Sequence, residues 1–172
     1  PNPVSDSWTV SFVQGGPQLP ASITVDSLGS WTDFVGDEYK AFSGTAVYTT
    51  TINKVPVADV IKLNLGTVAE NASVYLNGEY IGTVIDSPYQ LYIPAEKFKG
   101  QDELVVRVAN SMANRIAYMD KKGVDWKIFY NVNMSARKKE NVKNGIFDAS
   151  DWEPKSSGLL GPVTLTPAMV KQ

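Results

Sequence analysis

The residues best equipped for chemistry lie in one polar, aromatic-rich stretch, positions 110 to 158. It holds two groups of carboxylates, Asp120 with Asp125, and Asp148 with Asp151 and Glu153. Carboxyl groups that face each other can divide acid and base roles in a hydrolysis. The same stretch carries Trp126, Tyr130 and Trp152, together with Asn110, Asn114, Arg115 and Asp125. Its rings offer apolar faces, while the amide, guanidinium and carboxylate groups supply hydrogen bonds beside them. A ligand with C–H faces and a rim of hydroxyls, a sugar, suits that combination. The alternative is structural: the rings fold the segment onto the body of the protein or dock it on another domain. Asn110 carries its own alternative, because an Asn at a strand end often serves only loop backbone groups.

Composition narrows the chemistry further. Histidine is absent, which removes the commonest general base and transition-metal ligand. Cysteine is absent too, so thiolate nucleophiles and disulfides are excluded. The formal charge of −2, from 16 basic and 18 acidic residues, gives no net pull on nucleic acid. Arg137, Lys138, Lys139 and Lys143 form one small basic cluster and Lys121-Lys122 another. Either can meet phosphate or an acidic polysaccharide, although Glu140, Asp120 and Asp125 close by favour solvated loops. No phosphate-binding glycine motif and no calcium-loop spacing is present, so neither a cofactor nor a metal is assigned. No apolar run approaches the ~20 residues of a membrane span.

The elements that must position these residues read as strands. A chain of 172 residues with 43% hydrophobic and 20% charged positions can bury a core as one domain, residues 1–172. Trp8, Val10 and Phe12 alternate on one side of a first strand. The β-branched and aromatic run from Ala46 to Ile52 gives a second, and Ile61, Leu63 and Leu65 mark a third. Ala72, Val74 and Leu76 lead to Asn77-Gly78, a pair suited to the positive φ angles of a type I′ hairpin turn. Tyr80 to Ile85 follows, then Leu91 and Ile93, then Leu104, Val106 and Val108, and a last strand from Gly161 to Thr166. One helical turn fits Ala95 to Phe98, too short to change the class. Strands separated by turns, without long helical periodicity, predict an all-β sandwich. Two connections, 27 to 45 and 110 to 158, are too aromatic for solvated linkers.

Residues 66 to 82, which contain Ala72-Ser73-Val74-Tyr75-Leu76-Asn77-Gly78, resemble the sugar-binding domain of glycoside hydrolase family 2. Ser87 to Ile93 and Glu103 to Asn110 look like its next two blocks. Phe42 to Tyr48 and Gly158 to Leu165 extend the resemblance, which is shared with the β-sandwich of α-L-rhamnosidase-like enzymes of family 106. Positions 111 to 157 match poorly. The resemblance implies a galactose-binding-like jelly roll with long aromatic loops. It also implies a non-catalytic, carbohydrate-associated domain of a larger bacterial enzyme, with the catalytic domain of the same parent chain as partner. In such enzymes the catalytic carboxylate pair belongs to a separate barrel, so no catalytic residue is expected here. A parent that degrades polysaccharide would be periplasmic or secreted. The other readings are an independent carbohydrate-binding module and a self-contained glycosidase.

Overall fold

In the computed structural model, which describes residues 2–4, 7–128 and 138–168, antiparallel pairing organises the chain. The strands run in order β1 (Asn2–Pro3), β2 (Trp8–Gly16), β3 (Ile23–Val25), β4 (Ser43–Ile52), β5 (Val60–Asn64), β6 (Thr67–Ala69) and β7 (Asn71–Leu76). They continue with β8 (Glu79–Val84), β9 (Gln90–Pro94), β10 (Asp102–Ala109), β11 (Val142–Lys143), β12 (Ile146–Phe147), β13 (Gly158–Gly161) and β14 (Thr164–Ala168). A six-stranded sheet has the order β3-β2-β4-β10-β7-β8, and a four-stranded sheet the order β1-β14-β5-β9. Two short ribbons, β11-β12 and β13-β6, lie outside them. The fold is a jelly-roll sandwich.

Period-two alternation accounts for its core. Val10, Tyr48, Ile52, Val74, Leu104 and Val106 point inward from the six-stranded sheet, and Ile61, Leu63, Ile93 and Leu165 from the four-stranded sheet. All join one apolar cluster. Each large aliphatic side chain so buried contributes about 1.5–3 kcal/mol. Asn77 and Gly78 have φ of 51° and 81°, as the two-residue hairpin requires. Gly82 opposes Val74 while Tyr80 opposes Tyr75, so Ile81 is the extra residue of a bulge.

A buried carboxylate fastens that hairpin to β10. Asp102 is fully buried, and its oxygens accept from the backbone N–H groups of Lys99 and Gly100 and from the Asn77 side-chain amide, at 2.7 to 3.1 Å. Asn77 Oδ1 in turn accepts from the Glu103 N–H at 2.9 Å.

The C-terminal strand expected from Gly161 to Thr166 is two strands in different sheets. β13 pairs with β6, and β14 pairs with β1 and β5. The crossing lies where Gly66 meets Gly161, a contact that admits no side chain: a Cβ on Gly66 would stand 2.3 Å from the Gly161 carbonyl. Pro167 sits inside β14, opposite Ile61, instead of ending the strand. The long connections also contain helices that the sequence reading left out, α1 (Asp37–Ala41) and the nine-residue α2 (Ala113–Lys121). No helix among the described residues is long and apolar enough to cross a membrane.

Between the sheets Tyr48 keeps a buried hydroxyl with no hydrogen-bond partner among the described residues, although the Leu159 backbone lies near it. Burial pushes this phenol up from its ordinary value of 10.0. The folded chain therefore holds the proton where the unfolded chain releases it, and stability falls as pH rises above that value. Tyr48→Phe is expected to be neutral or stabilising at pH 7 and to flatten that decline by up to about 1.4 kcal/mol per pH unit. Urea unfolding of both chains at pH 9 and pH 11 checks this; parallel declines would contradict it.

Candidate functional site

Helix α2 and the turn at 150 to 154 bring part of the predicted set together. They border a cleft of about 490 Å³ with α1, lined by Asp37 and Lys40, by Asn114, Tyr118 and Lys121, and by Trp152 and Glu153, among others. Asn114, Tyr118 and Lys121 share one side of α2 because they stand four and three residues apart. Tyr118 was not singled out from the sequence as a site residue, yet this spacing could have found it.

Trp152 is half-buried; its indole N–H donates to Asn141 Oδ1 at 2.9 Å, and its ring meets Phe147 edge-on with centroids 5.8 Å apart. Asn114 is buried, and its amide exchanges hydrogen bonds with the Lys155 backbone at 2.7 and 2.9 Å. It therefore ties the 150–157 segment to α2 at the floor of the cleft.

The remaining predicted residues lie elsewhere. Asn110 accepts from the Gly44 N–H at 2.8 Å and donates to the Phe42 carbonyl and to Ser157 Oγ. Arg115 turns away from Asn114 and lays its guanidinium over Gly16, with Nε buried and unpartnered among the described residues. Asp125 is exposed beyond the end of α2. Trp126 is half-buried there, and its indole N–H donates to Asp120 at 2.7 Å. Tyr130 and Arg137 lie outside the described residues.

Asp120 from the first carboxylate group and Asp148 and Asp151 from the second are held by internal partners, while Asp125 and Glu153 are exposed. Asp120, with a side chain 1% exposed, receives Trp126 Nε1, Lys127 Nζ at 2.5 Å and the Ala149 N–H at 2.8 Å. Asp148 accepts from the Ser150 hydroxyl and N–H, which together with Lys143 hold its carboxyl below the usual range. Lys143 Nζ also reaches Asp151 at 3.1 Å. Among the described residues no three metal-ligating side chains converge. What the cleft offers is two aromatic side chains among charges of both signs, with Lys122 Nζ over the Tyr118 ring at 5.8 Å from its centroid.

No protein-family model matches the chain. Over 96% of its length it is 31% identical to a provisionally named β-glucuronidase of Formosa agariphila, of which it spans 16%. The rhamnosidase structure of Novosphingobium sp. PP1Y superposes on 95% of the chain with a TM-score of 0.76 and 29% identity, and the chain spans 14% of that protein. The fold is the galactose-binding-like jelly roll. A Ruminococcus gnavus β-glucuronidase solved with D-glucuronic acid shares it over 63% of the chain, at a TM-score of 0.50 and 20% identity, covering 22% of that protein. In sequence and structure, then, the galactose-binding-like chain resembles one small portion of long, bacterial, carbohydrate-directed proteins.

In this jelly roll Asp120 is the side chain that places Trp126. Asp120→Ala is expected to cost roughly 2–4 kcal/mol, because a buried N–H and an ammonium lose their acceptor. It should also shift the Trp126 emission to the red. Urea unfolding and the fluorescence difference between Asp120→Ala with and without Trp126→Phe measure both, and an unchanged midpoint would contradict the assignment.

Proposed function

We propose that residues 1–172 act as one non-catalytic accessory domain of a bacterial glycoside hydrolase, docked on the catalytic domain of the same parent chain. One observation carries this reading: nearly the whole chain aligns with only 14–16% of two much longer proteins named for glycosidase activity. A slice of that size leaves the reaction to the rest of the protein. The local chemistry supports the same division, because Asp120, Asp148 and Asp151 are engaged by cations and N–H groups instead of facing one another across open space.

The cleft supplies the carbohydrate contact. Tyr118 and Trp152 offer ring faces, and Lys40, Lys121 and Glu153 offer donors and acceptors for hydroxyls. Asn114 acts from beneath by fixing the Lys155 backbone. Where the parent enzyme degrades polysaccharide, the domain works in the periplasm or outside the cell.

Hydrolysis tests the proposal. The purified chain is expected to release no 4-nitrophenol from the α-L-rhamnoside or the β-D-glucuronide above a blank, alongside an active full-length relative. Release that Glu153→Gln abolishes would make the chain a glycosidase in its own right and overturn the accessory role.

A further inference from the structure

The outer face of the six-stranded sheet takes no part in the core, and the strand register fixes what meets there. In one row Tyr80 opposes Tyr75, Tyr75 opposes Val105, and Val105 opposes Thr49. In the next, Thr83 opposes Ser73, Ser73 opposes Arg107, and Arg107 opposes Val47. The two tyrosine rings meet edge to face at 5.5 Å, and Tyr80 is 55% exposed. The Tyr80 hydroxyl lies 2.9 Å from Thr83 Oγ1, which lies 2.7 Å from Ser73 Oγ.

Arg107 is exposed and has neither an ion pair nor a hydrogen bond through its side chain among the described residues. Its same-face neighbours along β10 are Val105 and Ala109. The carboxylate on that face of β10, Glu103, is four residues away, roughly 13 Å at strand rise. A cation is thus set among hydroxyls, small apolar groups and two rings, with no counter-charge beside it.

We propose that this face binds an acidic polysaccharide, with Arg107 receiving a uronate carboxylate and the Tyr75–Tyr80 pair carrying the C–H face of a pyranose ring. A guanidinium presents two parallel N–H groups to a planar carboxylate, a match that a lone ammonium lacks. Arg107 and Tyr75 stand diagonally across adjacent strands, about 7–8 Å apart, a gap the arginine side chain bridges. A neutral glycan would leave the guanidinium without a partner. An acidic protein segment would use the guanidinium through a flexible carboxylate stem, without the rigid C–H face that a pyranose sets beside its own carboxylate. The strand rows set these groups out in line across neighbouring strands, so an extended polymer along the rows makes the contact. This site is independent of the cleft beside α2 and of the proposed accessory role.

Affinity electrophoresis of the 172-residue chain in native gels tests it, with polygalacturonate, neutral galactan or poly-L-glutamate in the gel. Retardation by polygalacturonate alone is expected. Arg107→Ala and Tyr80→Ala should each weaken it about tenfold or more, Arg107→Lys should fall between, and Val57→Ala, at a fully exposed position outside both rows, should leave it unchanged. Thermal melts identify any variant that is misfolded, in which case Arg107→Lys and Tyr80→Ser carry the comparison. The proposal is overturned by an unretarded parent chain, by retardation that survives Arg107→Ala, or by equal retardation in poly-L-glutamate, which would make an acidic protein segment the occupant.

Discussion

Ser157 is the residue on which the two long connections close. Its N–H donates to Ser30 Oγ at 2.9 Å, its carbonyl accepts from the Trp31 N–H at 3.0 Å, and its hydroxyl accepts from the amides of Asn110 and Asn114. One buried residue therefore joins the first aromatic connection, the end of β10, α2 and the approach to β13. Within the side chains of Ser30, Asn110, Asn114 and Ser157 every polar atom has a partner, the condition under which a buried polar network rigidifies a structure, whereas the buried Trp31 indole N–H beside them has none among the described residues. Behind it Trp31, Phe42 and Phe12 pack edge to face with centroids 5.0 to 5.6 Å apart. The connections are thus bound to the sandwich at their roots, and only then can α1, α2 and the 150–154 turn border a defined cleft.

From that root α2 divides the predicted site. Asn114 and Arg115 are adjacent, and adjacent helical residues point about 100° apart. One faces the 150–157 segment and the other the Gly16 end of the sheet. At the far end of α2, Asp120 gathers Trp126, Lys127 and Ala149. Both indole N–H groups are used internally, that of Trp126 by Asp120 and that of Trp152 by Asn141, and what the cleft retains is the rings of Tyr118 and Trp152.

The parts legible in the sequence are those set by local physics. Alternation located the inward residues of β2, β5, β7 and β10, the β-branched and aromatic run located β4, and Asn77-Gly78 encoded its own turn. The split between β13 and β14 was not legible, because the apolar pattern runs on through it and the crossing depends on Gly66, far away in sequence. Helix α2 was hidden for a related reason. No side chain caps its start, and Asn114 and Asp120 hold it through contacts with Lys155 and Ala149. Which of seven candidate residues would converge depended on such long-range bonds, and spacing alone carries no record of them.

The outer faces follow a different logic from the core. In a strand, successive side chains serve opposite faces, so the residues that specify the sandwich and those that meet a partner are interleaved without competing. Val74 and Val106 are committed to packing, while Tyr75 and Arg107 beside them bear no packing constraint from within. Inner positions tolerate only volume-matched exchange, since core packing penalises both cavities and overfilling. Outer positions can change charge and size at little cost in stability. A sandwich can therefore keep its fold across distant glycosidase chains while its exposed rows and edge clefts are rewritten for different surfaces, and a shared fold leaves the ligand to be argued from those rows.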